Sequence, residues 1–273
     1  MNKITIPCSY QGSKQKLAKE IVNQFFAENE ITEETKFYDL CCGSGAITVE
    51  LLNRGIKPNN ITMIDLSVWG LFWKSVGEGT FDIKLFEDII SKMPNEPTLI
   101  KDHVEELSKS NSNINTEYIF LVLQSASFGG KAIWKQDDKW HTHGFRDYWL
   151  PTETSVRRSP SNPMSPMPNT LLERMKLLIE KAKGINAIHM NVTDFNNFKD
   201  GSIIYIDPPY SNTTGYGYDF DLLNYIKSIN KKCYVSEGKK ISENAIKISK
   251  SKKSGITGKR KSSNEEWINI FND

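Results

Sequence analysis

The segment Ile206-Asp207-Pro208-Pro209-Tyr210 follows an apolar run, SIIYI at 202–206, that reads as a buried strand. Two prolines after the aspartate stop a strand and remove two backbone donors. What remains at the strand end is a carboxylate, free carbonyls and an aromatic ring. Such a set accepts hydrogen bonds and offers a stacking face, which suits an exocyclic amine on a planar base. The plainer alternative is a proline-rich turn.

A second segment, Asp39-Leu40-Cys41-Cys42-Gly43-Ser44-Gly45, joins a strand to a helix. Glycines there let a ligand approach the backbone, and the helix start offers free amides. The dinucleotide fingerprint G-x-G-x-x-G is not met, because Thr48 stands where the third glycine would be. About twenty residues on, the apolar run ITMIDL contains Asp65. An acid at that strand end is placed to accept hydrogen bonds from a ribose diol; the alternative is a helix N-cap. His141-x-His143 offers only two ligands and no nearby Cys or acid constellation, so a metal is not expected. Cys8, Cys41, Cys42 and Cys233 form no C-x-x-C pair, so the expectation is free thiols in a soluble, cytoplasmic protein.

These segments need elements to hold them. Helical spacing covers residues 14–29, 46–52, 67–92, 98–110, 116–127 and 171–183. Strand signals stand at 37–42, 61–66, 186–190, 202–206, 232–236 and 266–271. Residues 128–169 break this alternation with Trp134, Trp140, His141, His143, Arg146, Trp149, Arg157, Arg158 and a Ser/Pro/Met-rich run. The pattern is an α/β sheet interrupted by an insertion. The 273 residues suffice for a large core, and no apolar run reaches membrane-spanning length. Net charge is only +2, yet Lys227 to Lys261 holds twelve Lys or Arg against two Glu, leaving −8 for the rest. Such a stretch fits a phosphate backbone or a solvated lysine-rich surface.

The order of motifs, D-x-x-C-G-S-G first, an irregular insertion next and D-P-P-Y last, resembles the adenine-N6 DNA methyltransferases of the Dam-like group. Tyr10-Gln11-Gly12-Ser13-Lys14 is similar to that group's opening motif, and Asn191-Val192-Thr193-Asp194-Phe195 to its D-F element. Cys41-Cys42 stands where many relatives have Phe or another bulky residue. The Arg that reads guanine in GATC-specific relatives has no clear counterpart, so that specificity is not carried over. Val235-Ser236-Glu237-Gly238 falls where relatives have a strand end near the active site, and Glu237 is open between a functional and a surface role.

The resemblance implies a Rossmann-like S-adenosylmethionine-dependent methyltransferase sheet with an inserted, mainly helical target-recognition region. The catalytic and cofactor-binding part would be 1–75 and 170–273, and the insertion 76–169. Asp207, Pro208 and Tyr210 would be catalytic. Tyr10, Lys14, Asp39, Gly43, Gly45, Asp65, Asp194, Phe195 and Asp207 would meet the cofactor, S-adenosyl-L-methionine. Lys131, Trp134 and Arg146 would contact double-stranded DNA, with no metal or membrane and a monomer or weak dimer as the working assembly. Two alternatives stand beside it. One is transfer to another planar amine or amide, such as RNA adenine or a protein Gln; glutamine-modifying enzymes usually show N-P-P-Y, so Asp207 argues mildly against that case. The other is an inactive DNA-binding relative.

Overall fold

The structure, a computed structural model, describes residues 3–110, 113–209, 220–254 and 260–272. In chain order the sheet strands are β1 (Phe37–Leu40) and β2 (Ile61–Asp65), then a separate pair β3 (Trp134–Gln136) and β4 (Lys139–His141). They continue with β5 (Asn186–His189), β6 (Ile203–Ile206), β7 (Cys233–Glu237), β8 (Asn244–Ser254) and β9 (Arg260–Phe271). The helices are α1 (Ala18–Glu28), α2 (Ala46–Asn53), α3 (Val68–Glu78), α4 (Ile83–Ser91), α5 (Ile100–Leu107), α6 (Thr116–Ala126), α7 (Pro168–Ala182) and α8 (Leu222–Ile229).

Seven strands form one sheet in the order β5-β2-β1-β6-β7-β9-β8. The first five run parallel, and β9 lies antiparallel between β7 and β8. Every residue of β1 and β6 is buried, as expected for central parallel strands covered on both faces. One face packs Phe37, Met63, Tyr205, Tyr234 and Ile268 against α1, α2, α3 and the inserted helices. The other packs Tyr38, Leu40, Ile64, Ile206 and Val235 against Val192, Phe198 and the Tyr225 and Ile226 side chains of α8. The chain winds outward from β1 through β2 to β5, then crosses back to β6 and β7. The reversal falls between β1 and β6, where open α/β sheets hold ligands beyond their carboxyl ends. The fold is thus α/β with a mostly parallel central sheet, compatible with a Rossmann-like architecture.

Two expectations are corrected. The helical stretch 67–92 is two helices: Gly79 takes a left-handed φ of 72° to end α3, and the Asp82 side chain accepts from the amides of Lys84 and Leu85 to start α4. The centre of the insertion is not wholly irregular or helical, because β3 and β4 form a hairpin. Its two turn residues, Asp137 and Asp138, both have positive φ (48° and 59°), the conformation of a tight hairpin turn usually signalled by glycine. The basic stretch 227–261, open between a phosphate contact and a solvated surface, holds regular elements. It runs from α8 through β7 and β8 into β9, and β8 pairs with β9 to close the sheet's edge. The inserted helices α4, α5 and α6 share one apolar cluster with the sheet through Phe86, Val104 and Phe120.

Candidate functional site

At the carboxyl end of β6 the amide of Asp207 donates to the carbonyl of Leu40 at the end of β1 (3.1 Å), which fixes the backbone across the strand reversal. The Asp207 carboxylate meets Lys14, whose Nζ lies 2.6 Å from Oδ1. Lys14 is 7% exposed although it carries a charge; its Nζ also reaches the carbonyl of Gly12 at 3.2 Å and Glu266 Oε1 at 3.7 Å. One cation thus sits among two carboxylates and a carbonyl. Burial pushes the Asp207 carboxyl up to about 6; the Lys14 ammonium opposes that shift, and Glu266 adds to it.

The glycine turn lies beside this group. Gly43 donates its amide to Asp65 Oδ2 (2.8 Å), and its carbonyl accepts from Trp73 Nε1 (3.0 Å). Tyr10 lies over Gly43, close enough that a Cβ there would stand 3.1 Å from its ring, and packs edge-on to Trp69 with centroids 5.6 Å apart. Ser44 Oγ donates to Ser13 Oγ (2.9 Å), joining the turn to the N-terminal segment. The other oxygen of Asp65 accepts from Ser67 N (2.8 Å) and Oγ (2.6 Å). Asp65 is not the cap of α3, because the Ser67 side chain accepts from Trp69 N. Asp39 reaches back into the fold, and its Oδ2 accepts from Thr48 N (3.2 Å) and Thr48 Oγ1 (2.8 Å). Burial pushes its carboxyl up to about 7 against those two bonds. The threonine in the third-glycine position therefore braces the turn from below. Burial pushes the thiols of Cys41 and Cys42 well above their ordinary value.

The fold brings Tyr10, Lys14, Gly43, Gly45, Asp65 and Asp207 to one end of the sheet. Phe195 packs on Tyr38 and Phe198 on the second face, with Asp194 exposed beside it after β5. Tyr210 lies outside the described residues. Sequence reasoning missed Glu266, Trp73 and the pair Ser13–Ser44. The strand at 266–271 was visible, but nothing local says that β9 inserts next to β7 and delivers Glu266 to Lys14.

The insertion is tied to the same corner. Gln11 donates its amide to the carbonyl of Gly130 (2.6 Å), and Ser9 to that of Ser165 (2.9 Å). Gln124 Nε2 and Ser127 Oγ hold the carbonyl of Lys131. Arg146 is half-buried, and its Nε donates to the carbonyl of Ser127 (2.8 Å), so part of its role is to brace the loop. Trp134 stacks on His141 across the hairpin, with centroids 5.3 Å apart and planes 9° from parallel, and His143 lies tilted beside it. Trp140 is buried near Phe120 instead.

Among the described residues no group of three or more His, Cys, Asp or Glu could hold a metal ion, and no helix is long and apolar enough to cross a membrane. No protein-family model and no curated protein matches the chain.

Proposed function

We propose that the chain is an S-adenosylmethionine-dependent DNA methyltransferase acting on adenine N6. The observation that carries this reading is the pairing of Lys14 with Asp207 beside the glycine turn, at the reversal between β1 and β6. Three segments singled out by the family resemblance converge there, although Lys14 and Asp207 stand 193 residues apart.

The chemistry of the turn favours this cofactor over a dinucleotide. The Asp65 carboxylate already takes the Gly43 amide, so an anion fills the position where a phosphate would bind. A second anion there would be repelled. S-adenosylmethionine has no phosphate, and its sulfonium suits a corner where Asp207 and Glu266 outnumber Lys14. Asp65 would hold the ribose, its oxygens having further lone pairs to accept with. The Gly43–Gly45 turn, Tyr10, Lys14, Asp194 and Phe195 would complete the cofactor site, with Asp39 bracing it from behind. When bound, the cofactor supplies an electrophilic methyl group.

The chain's own residues would then work on the nucleophile. Adenine N6 is a poor one because its lone pair is delocalised into the ring. Lys14 occupies Asp207 Oδ1, which leaves Oδ2 to accept one N6 proton while the Pro208 carbonyl accepts the other. Those bonds favour a pyramidal nitrogen, and Asp207 takes up the proton that leaves. Positioning and charge placement supply most of the rate. Tyr210 would stack on the base. The adenine must leave the duplex first, which costs a few kcal/mol; the insertion would read sequence and hold the gap open. Labelled cofactor and adenine-containing DNA, digested and searched for N6-methyladenine, test the reading, and absence of that product ends it.

Three further outcomes are expected. Asp65→Ala is expected to weaken cofactor binding about 10- to 100-fold, the loss of one charged hydrogen-bonding partner, with DNA affinity little changed. Calorimetry that finds cofactor affinity intact would leave Asp65 a brace for Gly43 and Ser67. Neutralising Lys252 and Lys253 is expected to weaken all DNA alike and flatten the log–log salt slope by about 2. Replacing Lys131, Trp134 or Arg146 is instead expected to change which adenines are methylated. Sequencing of methylated sites decides; a shift in site preference from the lysine pair, with none from the insertion, would reverse the two surfaces.

A further inference from the structure

Gln124 lies near the end of α6 with none of its surface exposed. Its side-chain amide joins two segments that stand far apart in the sequence. Nε2 lies 3.4 Å from the carbonyl of Ser9, 3.2 Å from that of Gly130 and 3.0 Å from that of Lys131, and Oε1 accepts the Ile133 amide at 3.1 Å. Carbonyls only accept and the Ile133 amide only donates, so the side chain has one orientation. Its two N–H groups are shared among the three carbonyls. A buried amide committed in this way holds its partners in register, because a partner that moves off leaves a buried polar group bare.

Each partner belongs to a part of the candidate site. Residues 9–14 carry Tyr10, which lies over Gly43, Ser13, which bonds Ser44, and Lys14, which bonds Asp207. The loop after α6 carries Lys131. The two segments also meet directly: the Gln11 amide donates to the Gly130 carbonyl at 2.6 Å, and a Cβ on Gly130 would stand 3.4 Å from that same nitrogen. Beside Gln124, the Ser125 carbonyl accepts the Ser165 amide at 2.8 Å, and the Ser165 carbonyl accepts the Ser9 amide at 2.9 Å. The end of α6 thus holds the N-terminal segment by two routes.

We propose that Gln124 is a positioning residue that makes cofactor binding and DNA binding cooperative. The proposal rests on the methyltransferase reading above, with the cofactor against Tyr10 and Lys14 and DNA against Lys131. A ligand that holds Tyr10 and Lys14 also holds Gln11 between them and Ser9 beside them. Through Gln124 it fixes the carbonyls of Gly130 and Lys131, so the loop is ordered before the duplex arrives. The second ligand then gives up less conformational freedom, and linkage makes the effect equal in both directions.

The test is the affinity of an adenine-containing duplex, read by fluorescence anisotropy, with and without saturating S-adenosylhomocysteine, the demethylated cofactor, which permits no transfer. The wild type is expected to bind DNA about tenfold tighter with that compound present, and DNA to tighten its binding by the same factor. Q124L, similar in size but without polar atoms, is expected to bring the factor below about twofold. Each ligand alone should still bind it within about fivefold of wild type, and a thermal melt should show a folded chain. S127A is the contrast. Ser127 Oγ holds the Lys131 carbonyl at 2.6 Å from within the loop, so this variant is expected to keep the factor whatever its effect on DNA affinity. G130A, strained at a φ of 72°, disturbs the same junction from the loop side and is expected to lower the factor too, which serves where Q124L does not fold. A wild type that binds both ligands without coupling overturns the proposal. So does a folded Q124L or G130A that keeps the full factor, a Q124L that exceeds the fivefold limit, or an S127A that loses as much coupling as Q124L. A wild type that fails to bind either S-adenosylhomocysteine or DNA removes the methyltransferase reading itself.

Discussion

On the proposed methyltransferase function, Asp207→Ala is expected to reduce methyl transfer about 1,000-fold or more while the protein stays folded and still binds S-adenosylmethionine. Removal of one preorganised group that acts on developing charge costs on the order of 100- to 1,000-fold, and in the proposed mechanism the same side chain would also receive the departing proton. The fold tolerates the change for a visible reason. The backbone amide of residue 207 still bonds Leu40, and Lys14 keeps Glu266 within 3.7 Å as an alternative partner. The interaction is one made in the transition state, so kcat falls more than affinity. Single-turnover rates and a thermal melt check it together. A rate within tenfold of wild type, in a folded variant, would remove Asp207 from the chemistry.

Gly45→Ala is expected to destabilise the whole chain by several kcal/mol and lower its melting temperature by about 10 °C. Gly45 has a φ of +72°, and a Cβ there would stand 2.2 Å from Cζ2 of Trp73. Left-handed strain on a non-glycine residue and overpacking cost about 1–3 kcal/mol each. Trp73 has nowhere to go: it is fully buried, packs on Phe72, and its Nε1 is committed to the Gly43 carbonyl. The strain is delivered directly to the glycine turn, so on the proposed function cofactor affinity should fall with stability. A melting temperature within about 2 °C of wild type would show that Trp73 yields, and that the turn is looser than its contacts imply.

Much of this could be read from the chain. The central strands are legible because β1, β2 and β6 are short apolar runs, each ending in a conspicuous acid or glycine turn. Asp207 and the glycine turn announce themselves by local composition. Lys14 became legible only by resemblance, since a lysine before an amphipathic helix ordinarily points to solvent. Three things were not legible for physical reasons. The β3–β4 hairpin turns on two aspartates in a conformation that glycine normally signals. The strand β8 alternates lysine with small polar residues, so an edge strand reads as a solvated tail. Glu266 acquires its meaning from the antiparallel insertion of β9, a pairing between distant segments that no local periodicity encodes.

The delivery of Glu266 by β9 bears on how the charged corner assembles. Lys14 precedes α1, while its two acidic partners lie far downstream, Asp207 after β6 and Glu266 within β9. At ribosomal rates the lysine waits on the order of tens of seconds before Glu266 is even synthesised. Contacts so distant in sequence form late and slow the folding search. Until β9 has paired beside β7, Lys14 would lack its second carboxylate, so the charged corner is completed only as the sheet closes.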